Sequence, residues 1–205
     1  MVEAYRRRGP LAALALSGHP RGAGSTATVR LTECAPRGQI ALRGDAGSRA
    51  LRGAAEKALG VALPVAPNTV STGERATVLW LGPDEWLAVV PAGDEAGVLS
   101  ALQAPLQKAH ALASDVSHSR GIIGLAGTGA PDLLARGCSL DLHPSVFGPG
   151  RCAQSSLARC HMLLHQVDAA PAFEIYVHRS FMEYAWTWLR DAARAWETAF
   201  ASDAG

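Results

Sequence analysis

Four groups of residues in the chain combine side chains that could do chemistry. His161-Met162-Leu163-Leu164-His165 has the i, i+4 histidines of a zinc-protease helix but lacks its glutamate. The run reads as a strand, where i and i+4 lie about 13 Å apart, so no metal is expected there. Gly121, Gly124 and Gly127 recur every three residues, but within a strand, whereas a nucleotide-binding glycine run occupies a strand-to-helix turn. Asp141-Leu142-His143 with Ser139 or Ser145 offers the residue types of a triad, without a Gly-x-Ser-x-Gly elbow. The fourth group, Asp115-Val116-Ser117-His118, reads equally as an Asp/Ser turn carrying a polar histidine and as a functional loop. Cys34, Cys138, Cys152 and Cys160 include no Cys-x-x-Cys pair and are expected to be buried free thiols.

These groups must be positioned by a folded body. The chain has 205 residues, 48% hydrophobic and 18% charged, which is the opposite of a disordered composition and enough for one domain or two small ones. The low charge has two sources. One is a bias towards Ala and Arg, with Lys57 and Lys108 the two lysines; the other is surface buried against partners, since interfaces are poor in Lys and Glu. The net charge of +1 gives no reason to expect nucleic acid. Nine arginines nevertheless precede residue 53, against Glu3, Glu33 and Asp45, which suits a segment lying across an acidic partner. After Arg6-Arg7-Arg8 the apolar run Leu11 to Leu16 is too short for a signal sequence, and nothing approaches a membrane span. A cytoplasmic protein is expected.

Residues 1–37 read as an irregular basic N-terminal segment. Gln39 to Arg43 alternates as a strand, and Ala50, Leu51, Ala54, Ala55, Ala58 and Leu59 form one helical stripe, capped by Asp45 or Ser48 and ended by Gly60. Residues 77–81 and 86–90 flank the loop Gly82-Pro83-Asp84-Glu85 as a hairpin. A helix opens at Asp94 and Glu95, to be ended or kinked by Pro105. The second half repeats this order, with a strand from Ile122 to Gly127, a helix after Pro131, strands at 152–158, 160–167 and 172–178, and a last helix. Ser180-Phe181-Met182-Glu183 has the form of a capping box for that helix. Its expected inner face is Phe181, Ala185, Trp188, Leu189, Ala192 and Trp196, with Trp186 about 160° around the axis from Trp188. At an offset of 87, Trp86-Leu87-Ala88-Val89-Val90 falls on Phe173-Glu174-Ile175-Tyr176-Val177. The expected fold is therefore α+β, two similar ferredoxin-like halves at 38–110 and 111–198, followed by a tail at 199–205.

Seven blocks in order carry a resemblance over nearly the whole chain: Leu42-Arg43-Gly44, Trp80 to Leu87, Asp115-Val116-Ser117-His118, Gly137 to Leu142, Pro149 to Gln154, Ser156-Leu157-Ala158 and Arg179-Ser180-Phe181. The tetrapeptide with its following strand resembles the folate-dependent aminomethyltransferase (glycine-cleavage T-protein) family. Together the blocks resemble the gamma subunit of heterotetrameric sarcosine oxidase. That resemblance implies a subunit of a complex that oxidises sarcosine with O2 to glycine and peroxide, passing the one-carbon unit to tetrahydrofolate. It also implies alpha, beta and delta subunits as partners, alpha above all, which hold the FAD, FMN, NAD, zinc and tetrahydrofolate, and no cofactor on this chain.

In aminomethyltransferases an acidic residue that works on the folate-bound unit lies in a Gly-Gly-x-x-Asp-Asp run after the Pro-Gly loop. Here Arg159-Cys160-His161-Met162 stands in its place, and neither an Arg nor a neutral His replaces a carboxylate in that role. The expectation is a transferase scaffold without its chemistry, with no catalytic residue. Its alternatives are a free-standing folate-binding protein of the same fold and a transport or storage module. For the subunit interface the expected residues are Arg6, Arg7, Arg8, His118, Arg120, Arg179 and Trp186.

Overall fold

A computed structural model describes residues 9–11, 27–107 and 109–203. Eleven strands and four helices appear among them, in the order β1 (Val29–Glu33), β2 (Gly38–Arg43), α1 (Arg49–Leu59), β3 (Val70–Thr72), β4 (Thr77–Gly82), β5 (Glu85–Val90), α2 (Glu95–Gln107), β6 (Leu112–Asp115), β7 (Arg120–Ala126), α3 (Ala130–Ala135), β8 (Arg151–Leu157), β9 (Cys160–Asp168), β10 (Ala172–His178), α4 (Met182–Ala192) and β11 (Thr198–Ser202). The expected repeat is present, strand–helix–three strands–helix over β2 to α2 and again over β7 to α4. Sheet order repeats with it: β3-β4-β5-β2-β6 in one sheet, and β8-β9-β10-β7-β1 in the other, extended by β11.

Alternation along the strands explains the layers. Ile40, Leu42, Trp86, Ala88 and Val90 face α1 and α2, while Leu87 and Val89 point the other way. In the second sheet Phe173, Ile175 and Val177 join α3 and α4, and Tyr176 points the other way. Leu79, Leu87, Val89, Ile122, Leu163 and Tyr176 meet in a central cluster. The molecule is thus a four-layer helix–sheet–sheet–helix stack.

Two strands cross between the layers. β1 precedes the first repeat but pairs with β7, and β6 precedes the second but pairs with β2. Sheet membership therefore does not follow the division at 110/111. Residues 29–33, expected to be irregular, form β1, whose Val29 and Leu31 are fully buried. Val-Arg-Leu-Thr-Glu alternates, but the glycines and prolines around it mask the signal. The expected tail likewise supplies β11, parallel to β1, with Ala199 buried.

Local signals are met in most places. Ser48 accepts a hydrogen bond from Leu51 N–H at the head of α1, and Gly60 closes it in the left-handed region at φ 72°. The β4–β5 turn is tighter than expected: Gly82 pairs with Glu85, leaving Pro83-Asp84 as the loop and a bulge after Trp80. Pro105 does not end α2 but sits in its last turn, where the missing N–H forfeits a single bond.

The capping box does not form. Arg179 N–H donates to Ser119 C=O at 2.9 Å, which starts a 3₁₀ turn over Arg179–Phe181. Ser180 is thereby inside the coil, and no side chain caps α4. The buried face also differs from the expected one: Met182, Ala185, Trp186 and Leu189 point inward, into the core of the second sheet. Trp186, expected to face outward, is 1% exposed, and Trp188 is only partly buried.

Candidate functional site

The two crossing connections come together beside the start of β7. One, residues 34–37, joins β1 to β2; the other, residues 116–119, joins β6 to β7. Between them lies a cleft lined by Cys34, Arg37, Gln39, His118, Arg120 and Arg179, among others. Its cavity volume is small, about 30 Å³, and it opens to solvent.

Asp115-Val116-Ser117-His118 builds one wall. Asp115 Oδ1 accepts from Ser117 N–H at 2.9 Å and from the Ser117 hydroxyl, an Asx turn. Ser117 Oγ in turn accepts from Gln39 N–H at 2.9 Å, and Val116 N–H donates to Gln39 C=O at 2.8 Å. Asp115 and Ser117 are therefore structural, tying the second crossing to β2, while His118 projects from the turn, exposed, at the cleft. Gln39 Nε2 donates to Arg120 C=O at 3.0 Å, and its buried Oε1 has no partner.

Arg120 and Arg179 are brought together by strand pairing, because Arg120 lies opposite His178 across β7 and β10. Among the described residues neither guanidinium has a carboxylate within 4 Å. Burial pulls the Arg120 pKa down, partly countered by the more distant charge of Glu85. Glu33 is the one carboxylate among the described lining residues. Both its oxygens are engaged: Oε1 accepts from Leu11 N–H at 3.0 Å and Oε2 from the Ser202 hydroxyl at 3.2 Å.

Behind the cleft, between the sheets, is a polar cluster centred on Glu174. Arg37 Nη1 stands 2.7 Å from Glu174 Oε1, and the Tyr176 hydroxyl donates to Oε2 at 2.6 Å. His165 Nδ1 lies 3.5 Å from Oε2, too long for a good hydrogen bond. Burial alone would favour the protonated acid. The charge and hydrogen bond of Arg37 and the Tyr176 donor, with the more distant His165, outweigh it and bring the Glu174 pKa to about 2. Tyr176 moves far upward, through burial and then the Glu174 charge. Cys34 is raised to about 11 by burial and by Glu174, so its thiol is un-ionised at neutral pH.

Among the described residues the cleft thus offers cationic and hydrogen-bonding groups, and its one lining carboxylate, Glu33, is engaged through both oxygens. Arg159, in the β8–β9 turn, Cys160, buried under the second sheet, and the exposed His161 do not line it. His161 is exposed and His165 buried, on the one strand β9. Asp141 accepts from His143 backbone N–H at 2.9 Å and not from the imidazole, whose Nδ1 meets Ser145 Oγ at 2.7 Å. That is a local turn on an exposed loop. The four cysteines are free.

Of the residues singled out from the sequence, His118, Arg120 and Arg179 converge here. Trp186 is buried beneath α4, and Arg6, Arg7 and Arg8 lie outside the described residues. Sequence reasoning missed Cys34, Arg37, Gln39, His165, Glu174 and Tyr176. One signal was available, since Glu174 falls at Leu87's place in the repeat and is a charge in an otherwise apolar strand.

A family model, sarcosine oxidase, gamma subunit family, matches residues 43–195. The sarcosine oxidase subunit gamma of Corynebacterium sp. strain P-1 is 37% identical over 171 residues, covering 82% of each chain. That of Corynebacterium sp. strain U-96 is 35% identical over 187 residues, covering 91% of this chain and 89% of its own. A chain of the heterotetrameric sarcosine oxidase from Corynebacterium sp. U-96, solved with pyrrole 2-carboxylate, superposes with a TM-score of 0.81 at 34% identity, covering 91% of this chain and 94% of that one. Aminomethyltransferase T of the Bartonella henselae glycine cleavage system shares the fold, with a TM-score of 0.68 at 13% identity, covering 96% of this chain and 60% of that one. Extent and identity together make the chain a member of the sarcosine oxidase gamma subunit family.

Proposed function

We propose that this chain is the gamma subunit of a heterotetrameric sarcosine oxidase, in which it stabilises the assembly and carries no redox centre. The observation that carries the reading is the superposition, over 91% of this chain and at 34% identity, on a chain of such an oxidase. The complex converts sarcosine, O2 and water or tetrahydrofolate to glycine, hydrogen peroxide and formaldehyde or 5,10-methylenetetrahydrofolate. FAD, FMN, NAD, zinc and tetrahydrofolate belong to the alpha, beta and delta subunits, with alpha the principal partner, in the cytoplasm. The non-catalytic role is supported by the cleft, where the fold's crossing strands meet around arginines and a carboxylate whose oxygens are both occupied.

Co-expression of a tagged copy with its prospective partner chains tests this. The expected product is a yellow complex with three further chains and sarcosine-dependent peroxide formation, together with a lone chain that retains no tetrahydrofolate in equilibrium dialysis. A tagged chain that emerges alone, or that binds folate by itself, overturns the reading.

A further inference from the structure

The cationic cleft continues along the surface. Arg179 lines both the cleft and a shallow depression beside Phe181, and Ser180 lines that depression and a long groove along α4 of mixed charge, which holds Tyr184 and Trp188 with Arg136, Glu183 and Asp191. Cleft, depression and groove thus form one strip. Tyr184 and Trp188, spaced i, i+4, lie along one side of α4, away from its buried face, and Phe181 stands in the 3₁₀ turn just before the helix. Among the described residues the large apolar side chains that stand exposed are four aliphatic ones, Val65, Leu112, Val146 and Val167, and two aromatic ones. Both aromatics, Phe181 at 46% and Tyr184 at 38% exposure, lie on this strip.

Chemistry and size narrow what the strip accepts. Arginine with tyrosine and tryptophan is the composition of interface hot spots. Trp188 is a fixed anchor because its ring lies over Gly137, where a Cβ would come within 2.5 Å of it. Arg120 is partly withdrawn from water without a paired carboxylate, an arrangement that rewards an arriving anion. The enclosed part of the cleft has room for about two waters. A single carboxylate side chain fits there, and a large ligand does not. A free small anion would leave the aromatics uncovered, whereas a protein segment covers both.

We propose that a neighbouring subunit of the oxidase docks along this strip, placing one Asp or Glu carboxylate in the cleft against Arg120 and Arg179 and apolar side chains against Phe181, Tyr184 and Trp188. The inference rests on the assignment of the chain to the oxidase and names the surface through which it is held.

The test uses the co-expressed complex, captured on tagged gamma chains, with partner retention and dissociation rate measured across a salt series. Arg179→Glu and the double change Phe181→Ser/Tyr184→Ser alter exposed side chains, and Val65→Ser is the control. The expected result is dissociation at least tenfold faster for both test variants, a weaker salt dependence for Arg179→Glu, and no change for Val65→Ser. Unaltered melting of the free variant chains confirms that they fold. Partners held equally by wild type and both test variants overturn the inference alone. A wild-type chain that captures no partner overturns the assignment and the inference with it. Self-association of the lone chain that the double change abolishes while capture stays intact assigns the strip to a second copy, which also overturns it.

Discussion

Strands β5 and β10 hold the same place in the two repeats and face the centre of the molecule with opposite chemistry. β5 contributes Leu87 and Val89; β10 contributes Glu174 and Tyr176 at the equivalent positions. One repeat supplies a dry surface, and the other supplies a carboxylate that needs Arg37, Tyr176 and His165 around it. The same asymmetry appears outside. The first repeat's sheet ends at β6, whereas the strand that matches it in the second, β1, is covered by β11, whose Phe200 ring lies 6.4 Å from that of Trp186. The inner face of one repeat is thus apolar, and the other carries a partly buried carboxylate there and more of the aromatic residues.

The glycines that follow β2 and β7 make the sharpest contrast. Gly127 has φ 113°, and a Cβ there would stand 2.3 Å from the Thr28 carbonyl oxygen, part of the β1 backbone approach. At Gly44 the nearest atoms are the side chains of Ala111 and Leu51, at 2.8 and 2.9 Å. Gly127→Ala is expected to cost about 4 kcal/mol or to prevent folding, and Gly44→Ala about 2 kcal/mol, in urea unfolding. Equal costs would mean the two turns are equally tight.

The polar cluster has no counterpart in β5, and acid should expose it. Because the folded-state pKa of Glu174 is about 2, below its ordinary 4.5, its contribution is present above pH 4.5 and is lost as pH falls towards 2. The loss amounts to on the order of 3 kcal/mol. Glu174→Gln is expected to lower stability at pH 7 and to flatten the acid limb of the stability curve. A variant whose pH 2–5 profile parallels wild type contradicts the assignment.

Each repeat buries one tryptophan at its helix–sheet junction, with different outcomes for the indole N–H. Trp86 Nε1 donates to Pro64 C=O at 2.7 Å, whereas Trp186 Nε1 is buried without a partner. Trp86→Phe strands the Pro64 carbonyl and is expected to cost about 3 kcal/mol; Trp186→Phe removes an unpaired donor and should cost about 1 kcal/mol. Thermal denaturation of the two variants distinguishes them, and a larger cost at Trp186 would show that its volume, not its N–H, decides.

Much of this was legible in the chain. The β2–α1–β5–α2 order, the Ser48 and Gly60 caps of α1 and the offset-87 repeat follow from local propensity and periodicity, which act over a few residues and need no partner. So do the blocks Asp115-Val116-Ser117-His118 and Gly137 to Leu142 that carried the family resemblance. The cleft was legible in part: His118, Arg120 and Arg179 stood out, but Arg37, Gln39 and Glu174 come from distant parts of the chain. Which strand joins which sheet is a long-range choice. β1 and β6 are short, five and four residues, and their places are decided by the sheet edges available to them. The side of α4 that is buried was likewise set from outside, by packing against the second sheet, which takes Met182, Ala185, Trp186 and Leu189 into its core. Sequence determined the repeat and the family; tertiary structure decided the crossing strands, the cationic cleft where they meet and the aromatic strip beside it, because those depend on residues far apart in the chain being brought together.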